Sequence, residues 1–145
     1  HGCQVKSLDE QNFPVLKVVG NFGFWECPIE TINLPFLEHV KNGWVYFGNI
    51  KNPQILTLPA LKTIGKNGFS YLPFIQINLP NLVSIGTDGF FNCEKLRSFS
   101  AGKLEKIGGN CFKRCPLLRS INWNVDPEKF TCYGCGECPV CYQDV

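Results

Sequence analysis

The residues most able to do chemistry are four cysteines near the C-terminus, spaced three apart: Cys132, Cys135, Cys138 and Cys141. Zinc usually takes two C-x2-C pairs separated by a longer loop, so that four thiolates can surround the ion. Bacterial ferredoxins bind iron–sulfur clusters with nearly this spacing, but there the proline follows the fourth cysteine and here it follows the third. A redox C-x-x-C needs a helix N-terminus, which the surrounding Gly, Tyr and Pro do not favour. The run therefore favours disulfides, with metal binding and redox catalysis as alternatives.

The other cysteines extend this expectation along the chain. Nine cysteines in 145 residues are typical of a protein from an oxidising compartment. Cys3 and Cys27 are a candidate pair that would tie down the N-terminal segment. Cys111 precedes Phe112 and lies off the apolar pattern, so we expect it to bridge to one of the cysteines in 132–141.

Catalytic groups other than thiols are sparse. The two histidines are His1 and His39, and no Ser–His–Asp or Cys–His arrangement can be built around them. Carboxylates such as Asp88, Glu94 and Glu105 stand at solvent positions of different repeats, with nothing to pair them as acid and base. The sequence therefore predicts a protein that is not an enzyme and has no cofactor.

Composition excludes further classes of function. The net charge is +2 and 44% of the residues are hydrophobic, which is ordinary for one globular domain. No basic run is interleaved with aromatic residues, as nucleic-acid binding would favour. No apolar run approaches the roughly 18 to 20 residues that span a bilayer. We expect neither a nucleic-acid partner nor membrane contact within these residues.

A repeated pattern organises the elements that position these residues. The motif L-P-x-L-x-x-I-G-x-x-x-F-x-x-[L/C] occurs twice with little change, and a third time with an altered opening. Leu61, Ile64, Phe69 and Leu72 return as Leu82, Ile85, Phe90 and Cys93, and then as Leu104, Ile107, Phe112 and Cys115. The template also fits earlier residues, giving five copies anchored at Val19, Val40, Ile64, Ile85 and Ile107. Self-similarity at 21 to 24 residues predicts a solenoid.

Each repeat carries two short apolar stretches. The first has the form L-x-x-L-x-L, as in Phe74, Ile77 and Leu79, which predicts a strand with its apolar residues pointing inward. The second could be a strand or a helical turn. A glycine follows its isoleucine, as Gly86 follows Ile85, and suits either a positive φ or a close backbone approach.

These features predict a β-rich solenoid, a right-handed leucine-rich-repeat coil of about five repeats of 21–24 residues with cysteine-tied caps. The expected divisions are an N-terminal cap at 1–14, the solenoid at 15–124, and a C-terminal cap or the start of a stalk at 125–145. The second repeat is irregular, and its run from Gly43 to Gly48 is expected to bulge. Trp44 or Tyr46 would be exposed there, either patching the turn or contacting a ligand.

Three cysteines occupy one template position. Cys27, Cys93 and Cys115 stand where Leu72 stands in another copy, and a position that accepts leucine is a core position. Buried thiols that act as small hydrophobes are the favoured interpretation, and a bridge between Cys93 and Cys115 is the alternative.

The outward face of the first strand is the candidate ligand-binding surface. The residue between its last two apolar positions is small and polar in each copy: Asn33, Thr57, Asn78, Ser100 and Asn122. Adjacent columns add Gln76, Arg97 and Arg119 to the predicted site. Another column runs from Glu30 to the two arginines, so an acidic or carbohydrate ligand would favour the C-terminal half. Any strand exposed to water also shows polar residues, which is the competing interpretation.

The copies LPALKTIGKNGFSYL and LPNLVSIGTDGFFNC, with AGKLEKIGGNCFKRCPLLRSI, resemble the BspA-type leucine-rich repeats, whose consensus contains L-x-x-I-G-x-x-A-F-x-x-C-x-x-L. The sequence departs from this family in having Gly or Cys where alanine often precedes the phenylalanine. The closing C-x-x-C run resembles the variant-specific surface proteins of Giardia.

These resemblances imply adhesion or antigenic display at an extracellular surface, with a host or neighbouring-cell protein or glycan as partner. The alternative is a structural wall or coat component that acts by self-association. A metal or redox protein centred on the C-terminal cysteines is a third possibility.

Overall fold

The computed structural model describes residues 3–24, 27–43 and 49–125. They form eleven short strands: β1 (Ser7–Leu8), β2 (Val18–Val19), β3 (Thr31–Ile32), β4 (His39–Val40), β5 (Ile55–Thr57), β6 (Thr63–Ile64), β7 (Gln76–Asn78), β8 (Ser84–Ile85), β9 (Ser98–Ala101), β10 (Lys106–Ile107) and β11 (Ser120–Trp123). A coil consists of an odd-numbered strand on the front face and the even-numbered strand that follows it on the back. Coil 1 is thus β1 and β2, and coil 5 is β9 and β10.

The strands pair in parallel from coil to coil, which defines a β-solenoid of about five turns. The back strands form one sheet in the order β10-β8-β6-β4-β2. The second apolar stretch of each repeat is therefore a strand, and the helical alternative is not adopted. Nowhere in the described ranges is there a helix that could cross a membrane.

The front strands form two sheets rather than one. Strands β11, β9, β7 and β5 pair in that order, while β1 and β3 form a separate pair. The division between β3 and β5 falls in the 24-residue repeat that the sequence marks as irregular. Residues 44–48, including Trp44 and Tyr46, lie outside the described residues, as does 126–145.

The N-terminal segment supplies a strand of the coil. Strand β1 pairs in parallel with β3, so that Ser7 is opposite Thr31 and Leu8 is opposite Ile32. Leu8 is buried in the same core as the later repeats. Residues 1–14 showed no repeat match in the sequence, yet Val5 and Leu8 precede an apolar pair by 24 residues and carry the pattern.

The core is a column of inward-facing side chains, densest in coils 3 to 5. Phe69, Phe90 and Phe112 are almost completely buried, and their ring centroids lie 5.9 Å and 5.5 Å apart. Phe99 from the front strand packs against two of these rings, at 5.1 Å and 5.0 Å. Aromatic pairs at such distances add to the stabilisation from burial itself.

The glycine after each isoleucine permits close approach of the preceding coil. A Cβ on Gly86 would lie 2.7 Å from the carbonyl carbon of Gly65, and a Cβ on Gly108 would lie 2.3 Å from the Thr87 nitrogen. Neither Gly86 nor Gly108 has a positive φ. Of the two reasons that the sequence offered for this glycine, close approach is the one that applies.

Candidate binding surface

Parallel pairing brings four of the predicted ligand-binding residues into one row on the front face. Thr57 is opposite Asn78, Asn78 is opposite Ser100, and Ser100 is opposite Asn122. Thr57 and Asn122 are exposed, and the two between them are half-buried. The preceding residue on each of β5, β7 and β9 is buried, so alternation along the strand turns the polar residue outward.

Asn33 stands apart from this row. It is exposed and follows β3, where its N–H donates to the Leu8 carbonyl at 2.6 Å. It therefore belongs with the two-stranded sheet of coils 1 and 2. The predicted five-residue column is divided between two sheets.

The remaining predicted residues surround the start of the front strands. Gln76 is exposed on β7, two residues before Asn78 and on the same face. Arg97 and Arg119 immediately precede β9 and β11, and the Arg119 N–H donates to the Arg97 carbonyl at 3.0 Å. Both arginines are exposed, so the front face ends in two adjacent cations.

The acidic end of the same face is neutralised, which the sequence did not reveal. Lys51 Nζ lies 2.8 Å from Glu30 Oε2. The hydrogen bond from Lys51 and its charge lower the pKa of Glu30. The basic character of the surface therefore comes from Arg97 and Arg119, without a compensating carboxylate column.

The predicted pair of N-terminal cysteines is confirmed. Cys3 and Cys27 form a disulfide across 24 residues. That separation equals one repeat, so the bond joins equivalent positions of coils 1 and 2. Cys27 is consequently a bridged cysteine and not a buried thiol.

The disulfide predicted for Cys111 is wrong, because Cys111 is a free and fully buried thiol. Its Sγ lies inside the coil, donating to the Gly86 carbonyl at 3.4 Å, and a Cβ on Gly89 would lie 3.5 Å from it. The residue before the core phenylalanine thus points inward, which the apolar pattern did not show. Burial raises the pKa of this thiol to about 12. The four cysteines of 132–141 lie outside the described residues.

Cys93 and Cys115 are buried free thiols, which confirms the favoured interpretation over a bridge between them. Their Sγ atoms donate to the carbonyls of Phe69 and Phe90, at 3.4 Å and 3.2 Å. Burial, followed by a hydrogen bond with Cys115, raises the pKa of Cys93 well above its usual value. Inertness is expected of thiols in such surroundings.

Metal-binding and histidine chemistry find little support in the described ranges. No group of three or more His, Cys, Asp or Glu side chains is placed there to hold a metal ion. His39 Nδ1 lies 2.8 Å from Thr63 Oγ1, on the neighbouring back strand. Its observed contact is thus a link between adjacent coils.

The stacked parallel strands and the repeated turns define a leucine-rich-repeat solenoid, a fold that is typically a non-enzymatic binding scaffold. The chain belongs to the family of the BspA-type leucine-rich repeat region, whose model matches residues 17–133 in six copies. This match continues past residue 124, where the sequence placed the end of the solenoid. Neither a curated protein nor a solved structure gives a significant match.

Proposed function

We propose that this chain is a cell-surface binding module that serves adhesion or antigenic display and engages its partner through the front face. BspA-type repeats are commonly surface adhesion modules and are typically surface-associated. The observation that carries the proposal is the row from Thr57 to Asn122, which holds polar side chains in register on a rigid sheet. Such sheets are the usual binding surfaces of solenoids.

The partner is an acidic protein or glycan of a host or neighbouring cell. Arg97 and Arg119 lie next to each other at one end of the face, and both are exposed. Arginine recognises carboxylates and sulfates with two parallel hydrogen bonds, and an exposed pair also steers acidic ligands toward the surface. Contacts made in this way weaken as salt screens them.

The test measures binding of the chain to cultured cells and to immobilised acidic glycans. The double variant Arg97→Gln/Arg119→Gln should bind at least ten-fold more weakly, and the wild-type signal should fall as salt is raised. The matched control is Lys17→Gln/Lys106→Gln, which removes the same charge from exposed residues beside or on the back sheet. Equal losses in both variants would mean that net charge, and not the front face, controls binding.

Self-association is the second candidate, favoured by the edge of the back sheet. Strand β2 is the last strand in that sheet's order, and Val15 and Val18 nearby are 77% and 43% exposed. Gly20 has open space where a Cβ would stand, whereas the equivalent glycines of later coils accept the coil before them. An open, apolar edge strand is a template for pairing with another copy. Sedimentation should then show oligomers that Val18→Lys dissolves, and a monomeric wild type would exclude this candidate.

A further inference from the structure

A groove of about 510 Å³ runs along the turns that follow the back strands. Its lining includes the aromatic residues Phe22, Tyr71 and Phe91 and the polar residues Lys66, Asn67 and Asp88. None of the residues predicted for the front face belongs to this lining. The groove is therefore a separate surface of the coil.

Phe22 occupies a backbone position that its neighbours fill with residues better suited to it. The third residue after the anchor has a positive φ in all five coils: Phe22 (54°), Gly43 (117°), Asn67 (57°), Asp88 (57°) and Asn110 (57°). Gly, Asn and Asp tolerate this left-handed conformation, whereas a bulky side chain incurs a cost of about 1 to 2 kcal/mol. An aromatic residue at this position calls for an explanation beyond backbone geometry.

Tyr71 repeats the anomaly at a second position. It has a φ of 63°, and its equivalents in the next two coils are Asn92 and Arg114, at 58° and 60°. Tyr71 also lines the groove, although it comes from coil 3 and Phe22 comes from coil 1. Two aromatic residues at unfavourable backbone positions thus converge on one surface. Retained strain of this kind is characteristic of functional sites.

The groove holds both rings in fixed settings. Gly43 lies directly against Phe22, because a Cβ there would be 2.8 Å from the Phe22 nitrogen and 3.0 Å from its ring. The Phe22 side chain is nevertheless 61% exposed. Tyr71 contacts the Phe91 ring edge-on at 5.7 Å, and its N–H donates to the Phe91 carbonyl at 2.8 Å. The aromatic surfaces are pre-organised and partly open to solvent.

Three polar side chains beside these rings have no protein partner within the described ranges: the Lys66 ammonium, the Asn67 amide and the Asp88 carboxylate. Ser70 differs from them, since its hydroxyl donates to the Asp88 carbonyl at 2.8 Å. The three groups supply both donors and acceptors. Lys66 and Asp88 carry opposite charges, so this part of the groove has no excess charge to select an ionic ligand.

We infer that the groove binds a neutral oligosaccharide. The apolar faces of sugar rings would lie on Phe22 and Tyr71, because an aromatic ring offers a rigid, apolar surface. Sugar hydroxyls would donate to Asp88 and Asn67 and accept from Lys66. A neutral polyol with apolar faces matches the pairing of open rings with balanced donors and acceptors. This inference is independent of the proposal for the front face.

The experiment measures binding of the chain to immobilised neutral oligosaccharides built from hexose and N-acetylhexosamine units. The double variant Phe22→Asn/Tyr71→Asn places at both positions a residue that tolerates positive φ, as Asn67 and Asn92 show. Its thermal midpoint should stay within a few degrees of the wild type or rise, while binding falls at least ten-fold. Arg97→Gln/Arg119→Gln is the front-face control and should bind these glycans as the wild type does.

A second variant tests the polar groups and covers the case of poor folding by the first. Asp88→Asn keeps a residue suited to positive φ but removes the charged acceptor, so binding should weaken about three- to ten-fold. Failure of the wild type to bind any neutral glycan would overturn the inference. Undiminished binding by the aromatic or the Asp88 variant would do the same, as would binding confined to sulfated or sialylated glycans and lost with the arginines.

Discussion

In coils 3 to 5 a column of buried phenylalanines fills the core, whereas coils 1 and 2 are joined by the Cys3–Cys27 disulfide. The front strands of the later coils contain three or four residues, and those of the first two contain two. The core ring of coil 1, Phe24, is only half-buried, and its edge contact is with Phe13 at 5.6 Å. The same repeat is thus stabilised by packing at one end and by a covalent bond at the other.

Equal spacing accounts for much of this difference. Coils that differ by at most one residue place identical side chains above one another, so rings and strands stack in register. The 24-residue repeat interrupts the front sheet between β3 and β5, and a disulfide compensates by restricting the unfolded chain. Irregularity also has a use, because the groove is lined by residues from both sides of this interruption. Regular coils supply stability, and the irregular junction supplies a distinctive surface.

The largest expected effect tests the phenylalanine column. Phe90→Ala should lower the free energy of unfolding by about 3 to 5 kcal/mol, since it leaves a cavity between packed rings. Phe24→Ala removes a half-buried ring and should cost about half as much. Denaturant titration of both variants measures the difference, and equal losses would mean that the two ends are packed alike.

Loss of the disulfide tests the other end. Cys3→Ala/Cys27→Ala should reduce stability by about 3 kcal/mol, as expected for a loop of this length. Cys93→Ala serves as the control, because that thiol forms no bridge. A reducing agent should lower the thermal midpoint of the wild type and leave the double variant unaffected. Insensitivity of the wild type to reduction would show that packing alone holds coil 1.

A pair of glycines sharpens the comparison further. Gly86→Ala should cost about 1 to 3 kcal/mol, because its Cβ would meet backbone atoms of the previous coil at 2.7 Å and they cannot move independently. Gly20→Ala meets nothing within 4 Å and should change stability by less than about 0.5 kcal/mol. Thermal denaturation distinguishes them. A large loss at Gly20 would indicate a contact on the outer side of coil 1.

The repeat itself could be predicted because its signal is periodic. Ile64 and Ile85 return with identical neighbours, and strand pairing follows from that register. Strand β1 was missed because Val5 and Leu8 form only a short match before the first clear anchor. Their spacing of 24 residues from the next apolar pair was the available signal.

Side-chain direction within the turns could not be predicted in the same way. Cys111 follows neither the strand alternation nor the aromatic column, and its inward direction depends on turn geometry. The groove depends on backbone dihedral angles and on which coils meet across the irregular repeat. A weak signal did exist, since Phe22 and Tyr71 stand where other copies have asparagine.

The smallest effect separates the buried thiols from the disulfide by pH. Cys111 has a pKa of about 12 in the folded chain and about 8.5 when unfolded. The raised folded pKa means that its contribution is complete below pH 8.5 and is lost as pH rises toward 12. At pH 9.5 ionisation of the unfolded thiol should cost about 1.4 kcal/mol. Cys111→Ala should therefore lose less stability than the wild type between pH 7.5 and 9.5, measured by denaturant titration. Parallel losses in the two chains would show that Cys111 titrates equally in both states and that its burial contributes nothing to this pH dependence.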